Sequence, residues 1–120
     1  MSFFKIFNGE NSKNGEGKAE DAQVHEPAPT PEAQLNATVC GRVQGVGFRW
    51  WTRGKAHSLG LTGYAKNLYD GSVEVVAQGS RESCQALLDI LNSGDTAGHV
   101  DSVNAEITAP EGSYQDFGMY

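Results

Sequence analysis

Leu35-Asn36-Ala37-Thr38-Val39-Cys40-Gly41-Arg42-Val43-Gln44-Gly45-Val46-Gly47-Phe48-Arg49 changes character twice, and those changes decide the fold. Up to Val39, apolar and polar residues alternate with a period of two, so Leu35 to Cys40 is expected to be a strand closed off by Gly41. Gly41 to Phe48 then places three glycines within seven residues, more than a strand or helix interior tolerates, and is expected to form a tight loop. From Phe48 onward, Phe48, Trp51, Thr52, Ala56 and Leu59 recur at helical spacing. Leu59-Gly60-Leu61 supplies a left-handed glycine stop for that helix.

Downstream, Leu61 to Leu68 is expected to be a second strand. The Asp-Gly step of Tyr69-Asp70-Gly71-Ser72 turns it into an antiparallel neighbour, Val73-Glu74-Val75-Val76-Ala77. Ser80 is placed to cap a second helix, with Glu82 in its first turn. Cys84, Leu87, Leu88 and Leu91 form its apolar stripe, and Asn92-Ser93-Gly94 ends it. Val103, Ala105 and Ile107 alternate with polar residues as a fourth strand, and a short fifth runs within Tyr114 to Tyr120. The order βαββαβ plus a short last strand predicts a ferredoxin-like α/β sandwich. Two helices should lie on one face of a mainly antiparallel sheet. That topology hosts many activities and identifies none.

Residues 1–34 read differently. Three lysines face six acids there, Pro27, Pro29 and Pro31 punctuate the stretch, and no apolar periodicity survives. Such a segment buries too little surface to offset its ordering entropy, so it is expected to be a disordered acidic arm ahead of one domain over 35–120. Met1-Ser2-Phe3-Phe4-Lys5-Ile6-Phe7 is too short for a signal peptide or a stable membrane anchor. No later stretch is apolar and long enough to span a bilayer. The chain's net charge of −6 opposes nucleic-acid binding and favours a small anion held by local geometry. Cys40 and Cys84 are too few for a disulfide framework and are expected as free thiols in a cytoplasmic protein. His25, His57 and His99 show no metal-ligand spacing, so neither metal nor cofactor is expected.

A strand entering a glycine loop and then a helix points several backbone N–H groups, and the positive end of the helix dipole, at one place. Arg49 follows directly, with a planar fork matched to phosphoryl oxygens. Walker and dinucleotide patterns do not fit, since no Gly-Lys-Ser/Thr occurs and Trp50 stands where a third glycine would be. Asn67, at the end of the second strand and expected to lie beside the first, offers a donor and an acceptor that can hold a water. On residue chemistry alone the glycines also suit a plain tight turn, Arg49 a solvated first-turn position and Asn67 a turn former. Their combination favours the site.

Taken together, Gly41-Arg42-Val43-Gln44-Gly45-Val46-Gly47-Phe48-Arg49 resembles the signature of the acylphosphatase family. Gly63-Tyr64-Ala65-Lys66-Asn67 with Asp70-Gly71-Ser72-Val73-Glu74 resembles its second motif. The resemblance runs from about Leu35 to Tyr120 and implies strand order 4-3-1-2-5. It implies that Arg49 and the backbone amides of Gln44, Gly45, Val46, Gly47 and Phe48 bind a substrate phosphate, and that Asn67 orients the attacking water. The implied reaction is hydrolysis of a small acyl phosphate to a carboxylate and inorganic phosphate by a monomeric enzyme. The alternative is a noncatalytic phosphoryl- or carbamoyl-phosphate-binding module. One departure concerns the last strand: many members end Phe-x-Ile-Arg-Tyr, whereas here the sequence reads Phe117-Gly118-Met119-Tyr120, without that arginine.

Overall fold

The computed structural model describes residues 30–120. Its elements are β1 (Ala33–Arg42), α1 (Phe48–Ser58), β2 (Thr62–Asn67), β3 (Val73–Gly79), α2 (Arg81–Leu91), β4 (His99–Thr108) and β5 (Phe117–Met119). The expectation of a disordered arm concerns mostly residues 1–29, which lie outside the described residues. Within them, β1 begins earlier than alternation suggested, because Ala33 and Gln34 pair with Gly79 and Gln78.

The five strands form one sheet in the order β4-β1-β3-β2-β5, which corrects the implied order 4-3-1-2-5. β3 is antiparallel to both β1 and β2. It therefore fills the gap that the β1-α1-β2 crossover leaves between two strands running the same way. Asn67 accordingly lies beside Val73 of β3 and not beside β1. β5 adds to the free edge of β2 in parallel, Gly63 opposite Phe117.

Period-two patterning sorts the sheet into faces. Ala33, Leu35, Ala37 and Val39 of β1 join Val73, Val75 and Ala77 of β3 and Ala65 of β2 in one core. Over that face lie Phe48 and Ala56 from α1, and Cys84, Leu87 and Leu91 from α2. Both helices thus cover the same face. β4 is the outer edge, with exposed His99, Asp101, Asn104 and Glu106 alternating with half-buried Val103, Ala105 and Ile107. Charges on an edge strand discourage pairing with another chain.

The helix ends follow their local signals. α1 closes in a Schellman arrangement: Leu61 N–H reaches Ala56 O at 2.9 Å and Gly60 N–H reaches His57 O at 3.1 Å, with Gly60 at φ 72°. α2 is capped by the Ser80 hydroxyl, which accepts from Ser83 N–H at 3.0 Å. Ser80→Ala should therefore lower the unfolding free energy by about 1 kcal/mol, measured by urea denaturation, with the slope unchanged.

Candidate active site

The end of β1 is shaped by crowding before it is shaped by any ligand. A bulge falls between Cys40 and Gly41, and a Cβ at Gly41 would stand 2.2 Å from His99 O. Gly41 is thus required by the close approach of β4. The sequence expectation that Gly41 closes the strand is corrected, since β1 continues to Arg42. The glycine loop proper is Val43 to Gly47. Val43 is buried in the core, and Gly45 and Gly47 take φ of 75° and 79° in open space. Both glycines serve conformation, turning the chain so that Gly47 becomes the left-handed N-cap of α1.

The two helix starts contrast. α2 has a serine cap and Glu82 in its first turn. α1 has no side-chain cap and no acid in its first turn. Its first N–H groups and dipole therefore face the exposed loop Gly45-Val46-Gly47 with no side chain among the described residues capping them. A small anion suits such a terminus.

Three further groups converge on this end. The half-buried Arg49 donates from Nη1 to the main-chain oxygen of Tyr120 at 2.6 Å. The N–H of Asn67 donates to that same oxygen at 3.1 Å. Asn67 and Arg49, eighteen positions apart, are thus brought together through the end of the last strand. Gln44 Nε2 donates to Leu68 O at 2.8 Å and Ser72 O at 2.9 Å, tying the glycine loop to the hairpin that follows Asn67. In that hairpin the Asp70 carboxylate is held below its ordinary range by the Ser72 hydroxyl first and the Ser72 N–H second. The turn is consequently best capped while Asp70 is ionised and loosens on acidification.

Asn67 Oδ1 is buried and has no hydrogen-bond partner among the described residues. A buried amide oxygen left in this way is uncommon and marks a place to look for a function. Among the described residues no cluster of three or more His, Cys, Asp or Glu is placed to hold a metal ion. His57 and His99 are exposed, near Asp116 and Asp101 respectively, and His25 lies outside the described residues. Trp51 packs against the core, whereas Trp50 is exposed with Arg53 over its ring.

The roles of Gln44's side chain and Tyr120's main chain were not anticipated from sequence. A polar residue amid glycines and valines was a usable signal for the first. A main-chain oxygen carries no sequence signature at all. The missing arginine near the end of β5 is partly offset, since Arg53 Nε donates to Phe117 O at 3.2 Å and Arg49 holds Tyr120.

Fold and site define a ferredoxin-like α/β sandwich with a glycine turn at an uncapped helix start, flanked by an arginine and an asparagine. The family model for acylphosphatase matches residues 35–119. An acylphosphatase of Mycolicibacterium smegmatis is 58% identical over 86 residues, covering 72% of this chain and 88% of that protein. Among solved structures, an acylphosphatase from Coxiella burnetii superposes with a TM-score of 0.66 at 44% identity, covering 75% of this chain and 94% of that one. Acylphosphatase from Bacillus subtilis gives 0.68 at 30% identity, covering 73% and 98%. The chain belongs to the acylphosphatase family, hydrolases acting on acyl phosphates.

Proposed function

We propose that this chain hydrolyses small acyl phosphates by positioning and charge stabilisation alone. The reading rests foremost on the uncapped start of α1, with Arg49 and Asn67 meeting beside it at Tyr120 O. The phosphoryl group sits against the amides of Gln44, Gly45, Val46, Gly47 and Phe48. One Arg49 nitrogen is engaged by Tyr120 O, and the remaining guanidinium donors lie against the phosphoryl oxygens.

Asn67 holds a water in line with phosphorus. Water oxygen attacks phosphorus, the bond from phosphorus to the acyl oxygen breaks, and the carboxylate leaves with the bonding pair. A carboxylate needs little protonation to depart, and a phosphoryl oxygen takes the proton lost by water, so no protein base is required. The charge spread over the transferring group is met by Arg49 and the loop amides, the task a metal ion performs at other phosphoryl-transfer sites. We further place the protein in the cytoplasm as a monomer; the free thiols of Cys40 and Cys84 suit a reducing compartment. No helix among the described residues is long and apolar enough to cross a membrane.

The test is benzoyl phosphate hydrolysis with and without a chelator, together with NMR titration by inorganic phosphate. Turnover should be unaffected by chelation, and phosphate-induced shifts should centre on Gln44 to Arg49. Loss of activity in chelator would overturn the metal-free mechanism. Phosphate binding without turnover would favour a noncatalytic module.

A further inference from the structure

α1 carries a polar side chain that the proposed chemistry leaves unused. Thr52 lies on the buried stripe of the helix between Phe48 and Ala56 and is fully inaccessible to solvent. Its Oγ1 has no hydrogen-bond partner among the described residues. A threonine or serine within a helix ordinarily returns its hydroxyl to the carbonyl four residues back. Ser58 does so in this same helix, to Gly54 O at 3.1 Å, and Thr52 does not. An unsatisfied buried hydroxyl is a standing cost that valine, of the same shape, would avoid.

The second orphan is the Oδ1 of Asn67. In an antiparallel ladder, directly opposed side chains share a face. Asn67 opposes Val73, which belongs to the core under the helices. The amide therefore emerges on the helix-covered face. β1 and β2 run the same way, each antiparallel to β3, so Asn67 ends β2 at the end of the sheet where the glycine loop leaves β1 and α1 begins. Thr52 sits one turn into α1, which packs on β2. One orphan is a donor and the other an acceptor, on packed elements at one end of the molecule.

We propose that Thr52 is a positioning residue for Asn67: its hydroxyl donates to one shared water that in turn donates to Oδ1, and so fixes which end of the amide faces the glycine loop. With Oδ1 held inward, Nδ2 is the end left to hold the attacking water. The donation occupies one lone pair of that water and leaves the other for phosphorus. This inference rests on the proposed role of Asn67.

The experiment compares Thr52→Val, Thr52→Ser, Asn67→Ala and the Thr52→Val/Asn67→Ala double variant. With acyl phosphate, Thr52→Val should lower kcat by about ten- to a hundredfold, with the inhibition constant of inorganic phosphate unchanged. Thr52→Ser should restore most of the loss. In the Asn67→Ala background, Thr52→Val should cost nothing more, because its effect passes through the amide. A second readout needs no turnover: the Asn67 side-chain NH2 resonance should shift in Thr52→Val and stay near its place in Thr52→Ser. If the wild-type chain shows no hydrolysis, the enzymatic reading falls while this resonance still decides the contact. An ordinary core residue would behave otherwise, Thr52→Val gaining thermal stability with full kcat and an unmoved Asn67 resonance. That result would overturn the proposal.

Discussion

Arg49→Ala should abolish inorganic phosphate binding and turnover together. Two charge-assisted hydrogen bonds at roughly 1.5–3 kcal/mol each amount to about two to four decades in affinity, at about 1.4 kcal/mol per decade. The loss has a structural component too, because Arg49 also holds Tyr120 O and with it the end of β5. Arg49→Lys separates the parts, since lysine keeps the charge and loses the planar fork. It should recover a minor share of the affinity. Asn67→Ala should behave differently, lowering kcat by on the order of a hundredfold or more, as for a removed transition-state contact. Phosphate inhibition should persist in that variant. Isothermal titration with phosphate and steady-state kinetics measure the two quantities separately. Unchanged phosphate affinity in Arg49→Ala would remove the arginine from the site.

Gly63→Ala should be severely destabilising for the addition of a single methyl group. Gly63 lies inside β2, between Ala77 of β3 and Phe117 of β5. Its φ is 144°, and a Cβ there would stand 1.9 Å from the carbonyl oxygen of Val76. That contact is with backbone, so no rotamer change relieves it. Backbone strain of about 1–3 kcal/mol adds to overpacking of about 1–3 kcal/mol. Together they reach about 4 kcal/mol, a large part of the roughly 5–15 kcal/mol that holds a domain together. Gly60→Ala is the control, with φ 72° but nothing within 4 Å of the added atom. It should cost only about 1 kcal/mol. Urea denaturation of both variants measures the difference, and equal losses would show that strain alone governs Gly63.

Much of the architecture was legible because it depends on short-range rules. Alternation in Leu35 to Val39, the stripe Cys84-Leu87-Leu91 and the Asp70-Gly71 turn each express a local period or a local dihedral preference. The strand, loop and helix around Arg49 were readable for the same reason. Boundaries were less so. Ala33 and Gln34 looked like part of a polar arm, yet pairing with Gly79 and Gln78 recruits them into β1. Gly41 looked like a loop glycine, yet it is a strand residue pressed against β4.

From sequence alone come the element order, the core faces and the glycine turn before α1, and with them the proposal of Arg49 and Asn67 as site residues. Tertiary structure alone decided that β3 lies between β1 and β2. It also decided that Arg49 and Asn67 meet through Tyr120, that Gln44 ties the loop to the hairpin, and that Thr52 is buried without a partner. The division has a physical cause. Periodicity and turn chemistry act over a few residues and leave their mark in composition. Strand order and the meeting of groups as far apart as Arg49 and Tyr120 are set by how whole faces pack, and a main-chain oxygen or an unsatisfied hydroxyl acquires its meaning only there.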